Sequence, residues 1–178
     1  MIRKLVAIIS IIALVLIIFI LQVYLIDSRT LFGVKPNLIL VSIVAVSLWY
    51  GLYIGAFYSL IIGIIADSIF GNTFGLFTIG YSLTGSVIGF LNYNYRKENK
   101  ISLIYVTILA TAIFEVSEYI SYIFVSNELL NIFYILKQII VASLLNICIA
   151  YIIYGILYKI TNFVDERLVS DTSFQSLR

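Results

Sequence analysis

The chain reads as long apolar runs broken by short polar punctuation. The first run, Leu5–Ile26, is close to the roughly 20 residues that cross a bilayer as a helix. It is longer than the 7–15-residue core of a cleaved signal peptide, and no small-residue cleavage pattern follows it. It predicts a retained anchor helix. A polar segment, Asp27 to Pro36, ends it, and Pro36 suits the first turn of a second helix opened by Asn37.

From Asn37 to Ala66 the chain stays apolar for about 30 residues, long for one crossing and short for two. Gly51 follows Trp49-Tyr50, the residue types that mark a membrane interface. The pattern predicts two short helices, Asn37–Tyr50 and Leu52–Asp67, turning at Gly51, with one kinked helix as the alternative. A Gly-rich connection, Asp67 to Gly75, leads to Leu76–Tyr93. The charged loop Tyr95 to Lys100 precedes Ile101–Val125, and an Asn127-Glu128 loop precedes a sixth helix over about Ile132–Ile160. The expected architecture is an all-α integral membrane protein, a six-helix transmembrane bundle over residues 1–161, with a short polar cytoplasmic tail over 162–178.

Composition supports lipid as the main solvent. The 178 residues are 62% hydrophobic and 11% charged, under half the charge of a typical soluble domain, about 25%. The net charge of +2 gives no reason to invoke nucleic acid. With no His and a single Cys, neither a disulfide within the chain nor a His/Cys metal cage can form. No phosphate loop, zinc-helix or serine-elbow motif is present, so no catalytic, metal or cofactor site is expected. Six crossings with cytoplasmic termini put eight of the eleven Lys and Arg inside, leaving Arg29, Lys35 and Lys137 outside or near the outer end, as the positive-inside rule favours.

Three patterns carry candidate chemistry. Gly51, Gly55, Ser59 and Gly63 recur every fourth residue, with Asp67 continuing the row, and Gly85 and Gly89 repeat the spacing on helix four. Small residues let membrane helices approach closely, either within the chain or against a partner, and within the chain is the commoner use. Asp67 ends an apolar helix, where it could bond the backbone of the next turn or order a binding loop. On helix five, Thr107, Thr111, Glu115, Glu118 and Tyr122 make one polar stripe. Such carboxylates should face the bundle interior. Lys137 lies about 7.5 Å into helix six, near the depth of Glu118, about 9 Å below the end of helix five. The matched depths predict a Lys137 pair with Glu118 or Glu115, with Gln138 and Asn146 extending a buried polar network, and Lys137→Met should then destabilise the fold. A proton or cation path through Glu115 and Glu118 is the functional alternative.

Pro36-Asn37-Leu38, the run from Gly51 through Gly55-Ala56 and Gly63 to Asp67, the Gly71–Gly75 turn, and Gly85 with Gly89 come in that order after an anchor helix. This ordered set resembles the rod shape-determining protein MreD family over nearly the whole chain. The resemblance implies a non-enzymatic protein of the bacterial cytoplasmic membrane. It also implies an MreC-like bitopic partner, an indirect link to the wall-elongation synthases, and a fold similar to the substrate-binding subunits of energy-coupling-factor vitamin transporters. Against the transporter role, Ala7 and Ala13 stand six apart where those subunits carry Ala-x-x-x-Ala. The polar residues available for an outer cavity, Trp49, Asn72 and Glu128, are also scattered.

Overall fold

The computed structural model describes residues 15–24, 33–70, 75–92, 100–126 and 131–175, with side chains to residue 153 except Lys100. Gly71, Asn72, Glu128, most of the charged Tyr95–Lys100 loop and the start of the anchor helix lie outside the described residues. So do Arg3, Lys4, Arg29, Arg96, Lys97 and Arg178, and the side chains of Lys159 and Arg167. The described residues form six helices: α1 (Val15–Tyr24), α2 (Leu38–Tyr50), α3 (Leu52–Phe70), α4 (Leu76–Leu91), α5 (Lys100–Ser126) and α6 (Ile132–Gln175). Three of them, over Leu52–Phe70, Ile101–Ser126 and Ile132–Ile153, are long and apolar enough to cross a membrane.

Helix α2 is the core of the bundle. Every residue from Leu38 to Leu48 is buried, and α3, α4, α5 and α6 all pack against it. A helix apolar on all sides has no water-facing or lipid-facing stripe, so a central position satisfies it. Its 13 residues span about 20 Å, short of a full crossing. Its last carbonyls have no acceptor role within the helix and take partners from the residues around them. The Gly51 N–H bonds the Ser47 carbonyl at 3.0 Å, and the Asn92 side-chain amide from the end of α4 donates to the Leu48 carbonyl. Gly51 has φ +82°, a left-handed conformation that glycine adopts without steric cost. The turn at Gly51 thus makes α2 and α3 two separate antiparallel helices.

Several boundaries differ from the sequence expectation. Helix α3 runs on to Phe70, past Asp67 and into the segment read as a connection. Pro36 sits one residue before the cap of α2 instead of inside its first turn; Asn37 is the cap, and its side chain accepts from the Leu40 N–H at 2.8 Å. Helix α6 continues unbroken to Gln175, through the segment read as a polar tail. No Gly or Pro occurs after Gly155, so nothing local stops the helix.

Helices α3 and α4 form the closest pair. At Gly63 a Cβ would stand 2.6 Å from the Thr78 Cα, and at Gly89 2.7 Å from the Leu52 Cα. Gly85 faces Ser59 across the same seam, and a Cβ at Gly55 would meet the Ser47 Cβ of α2 at 2.8 Å. The ladder of small residues is therefore filled by α4 and α2 along its length. The opposite face of α3, with Tyr53, Phe57, Leu60, Ile61, Ile64 and Ile65, is exposed and apolar, as a lipid-facing surface must be.

Candidate functional site

The chemistry of the molecule gathers at one end of the bundle, where α2 and α4 begin and α3 and α5 finish. Asp67, in the last turn of α3, is 2% exposed. Its Oδ1 accepts from the Phe77 N–H and its Oδ2 from the Thr78 N–H, each at 2.9 Å, and the Thr78 hydroxyl also donates to Oδ2. Gly75, the formal cap of α4, has no side chain to offer. The carboxylate of one helix thus caps the next, where free N–H groups and the helix dipole both favour negative charge. This is the bond to the next helix's backbone, reaching beyond the Gly71–Gly75 connection.

Asn37 is the centre of a second knot. Its Oδ1 accepts from the Leu40 N–H and, at 3.1 Å, from the Tyr81 hydroxyl of α4. Its backbone N–H donates to Asn146 Oδ1 on α6 at 2.8 Å, and Asn146 Nδ2 donates to the Thr111 hydroxyl of α5 at 3.1 Å. Gln22 of α1 completes it: Oε1 accepts from the Leu38 N–H at 2.8 Å, and Nε2 donates to the Pro36 carbonyl at 3.3 Å. The first turn of α2 is therefore tied to α1, α4, α5 and α6 through side-chain amides and hydroxyls. In hydrocarbon each of these groups would be costly alone, and here each has a partner. Sequence reading singled out Asn37 and Asn146 but missed Gln22, Tyr81 and Asn92. Gln22, the lone amide in an otherwise apolar anchor, and Asn92, just past helix four, were visible signals; Tyr81 gave none.

Above this knot the interior is open. One cavity of about 260 Å³ lies between α1, the 33–37 segment, α4 and α5, walled by Phe77, Tyr81 and Phe114. Tyr81 and Phe114 stack with ring centres 4.6 Å apart, and Phe77 stacks on both. A second cavity of about 340 Å³ opens between α5 and α6, walled by Tyr119, Tyr122, Tyr134 and Ile135. Glu115, Glu118 and Gln138 line both.

The stripe on α5 divides along its length. Thr107 and Thr111 are fully buried, each donating to the carbonyl four residues back. Glu115 is half-buried and Glu118 exposed, both against the cavities. The expected pair with Lys137 does not form. Lys137 is exposed on the side of α6 that carries Phe133, Leu136, Ile140 and Leu144. Gln138, one residue on and about 100° round the helix, is the one that lines the cavities. Asn146 is fully buried in the Asn37 knot, so of the five residues expected to form one network Glu115, Glu118 and Gln138 gather at the cavities, while Lys137 and Asn146 lie elsewhere. Among the described residues no three His, Cys, Asp or Glu side chains come together as a metal site.

No curated protein and no solved structure matches the chain, so likeness to the vitamin-transporter subunits has no such support. A family model does match. Its description is rod shape-determining protein MreD, and it covers residues 2–164, taking in the glycine seam, the Asp67 cap, the Asn37 knot and the cavity residues alike. The chain belongs to the MreD family, multi-pass proteins of the cytoplasmic membrane with a role in rod-shape determination.

Proposed function

We propose that this chain is a non-enzymatic scaffold of the wall-elongation machinery, docking an MreC-like bitopic partner within the membrane, both termini in the cytoplasm. The observation that carries the reading is the family match across residues 2–164. The packing adds a constraint. The Gly55, Ser59 and Gly63 seam is filled by α2 and α4, so a partner helix meets an outward face instead of that ladder. The Asp67 cap and the Asn37 knot then serve as the geometry that holds those faces in place.

The test is co-purification from detergent-solubilised membranes with the MreC-like protein of the same cell. It is joined to photo-crosslinking from single positions on separate faces: Phe57 on α3, Ile120 on α5 and Ile140 on α6. The expected result is a stable complex, with cross-links concentrated on one face. Absence of co-purification together with absence of cross-links from every face would discard the scaffold reading.

A further inference from the structure

The polar groups lining the two cavities are not alike. Gln22, Asn37 and the Tyr81 hydroxyl are already hydrogen-bonded within the bundle. Glu115, Glu118 and Gln138 have no hydrogen bond and no ion pair among the described residues, and all three line both cavities. Glu115 and Glu118 lie three residues apart and so on one side of α5. They sit within the 26-residue apolar span Ile101–Ser126, Glu118 about 7 Å from its middle, well inside the hydrocarbon. Carboxylates at that depth need a compensating group. Lys137 faces away, and Lys35 contributes one positive charge to the far wall against two carboxylates.

The chemistry of the walls selects the ligand. Two carboxylates in a medium of low dielectric reject phosphates and carboxylates. A hard metal ion wants six or more oxygens, and the unpaired groups here are two carboxylates and one amide. Aromatic side chains flank the carboxylates on both sides: Tyr119, Tyr122 and Tyr134 in one cavity, with Phe77, Tyr81 and Phe114 in the other. Aromatic walls beside carboxylates suit a nitrogen cation carrying carbon. Cavities of about 340 and 260 Å³ meeting at three residues give room for an ammonium head and a short stem.

We propose that the space beside the three residues common to both cavities binds the ammonium group of a small organic cation, held by Glu115 and Glu118 with the Gln138 amide oxygen as a further acceptor, its attached carbons enclosed by the aromatic walls of one cavity or the other. The same chemistry has two sources. A water-borne amine would arrive from the end of the bundle, and an amine on an apolar chain would arrive sideways from the lipid through the opening between α5 and α6.

The test uses the full chain in neutral detergent and follows its thermal unfolding with three probes: ethanolamine, octylammonium, and octanol as the neutral counterpart. Stabilisation by an ammonium probe is expected, with none by octanol, and the apparent Kd should weaken at least tenfold in E118Q and in E115Q/E118Q. A response to ethanolamine identifies the aqueous source; a response to octylammonium alone identifies the membrane source. Should the double variant not fold, E118Q and Q138L are read instead. The proposal is overturned if neither amine stabilises the protein. It is equally overturned if octanol matches octylammonium, or if the response survives unchanged in every folded variant.

Discussion

The α3–α4 seam and the cavity end of α5 and α6 solve the same problem in opposite ways. Both lie in a medium that offers helices no hydrophobic reward for association. The seam succeeds by removing side chains, so that backbone meets backbone at Gly63 and Gly89. The cavity end keeps its side chains and leaves space between them, with Glu115, Glu118 and Gln138 around it and unpaired among the described residues. One region is closed and self-sufficient; the other is held open by the knots beneath it. Substitutions in the two regions should therefore fail differently. Those in the seam should unfold the bundle, and those around the cavity should leave it standing.

The largest effect is expected at Gly63. A leucine there must move the backbone of Thr78, because the nearest atom is a Cα and not the end of a flexible side chain. Overpacking costs about 1–3 kcal/mol where side chains can yield, and a backbone obstacle puts Gly63→Leu above that range. The variant should insert but fail to give a cooperative thermal transition. Gly63→Ala should still lose about 2 kcal/mol in an SDS-titrated unfolding measurement. A stable Gly63→Leu protein would mean that the seam is looser than the distances imply.

Next comes Asp67→Ala. It leaves the Phe77 and Thr78 N–H groups and the Thr78 hydroxyl without their acceptor. An unsatisfied buried donor costs about 1–3 kcal/mol, so a loss of about 3 kcal/mol is expected for the set. Asp67→Asn keeps one acceptor oxygen and should recover part of it. The same unfolding measurement, with Thr78→Val as the variant that removes only the hydroxyl donor, separates the contributions. Asn146→Leu should cost less, about 1 kcal/mol, because intramembrane hydrogen bonds are individually modest. It breaks the bonds to Asn37 and Thr111 together.

What the sequence made legible was periodicity. Gly55, Ser59, Gly63 and Asp67 share one face because four-residue spacing on a helix puts them there, and their row does meet a neighbouring helix. The Gly51 turn was readable because glycine after an interfacial Trp-Tyr pair has few other uses. Partners across the bundle were not readable. Gln22, Asn92 and Tyr81 act over separations of 14, 44 and 44 residues, and Asn37 meets Asn146 across 109. Nothing in a linear pattern specifies which loop closures bring such groups together. Depth along a helix could be counted at 1.5 Å per residue, whereas direction around it relative to another helix depends on a packing angle that the spacing does not contain.

Lys137 shows the difference between depth and direction, and it carries the smallest expected effect. Its height in α6 matched that of Glu118, yet it sits among Phe133, Leu136 and Ile140 on the outward face. A lysine there can run its methylene stem along apolar surface and lift the ammonium toward the headgroups, so it needs no carboxylate within the bundle. Lys137→Met should therefore change stability by less than about 0.5 kcal/mol, the usual range for a surface position. A double-mutant cycle with Glu118→Gln makes this quantitative. Contacting charges couple by about 0.5–3 kcal/mol, and independent sites add to within about 0.5 kcal/mol. Additivity is the expected outcome. A coupling of about 1 kcal/mol or more would show that the lysine turns inward in the membrane and closes the cavity that stands open between α5 and α6, erasing the contrast with the seam.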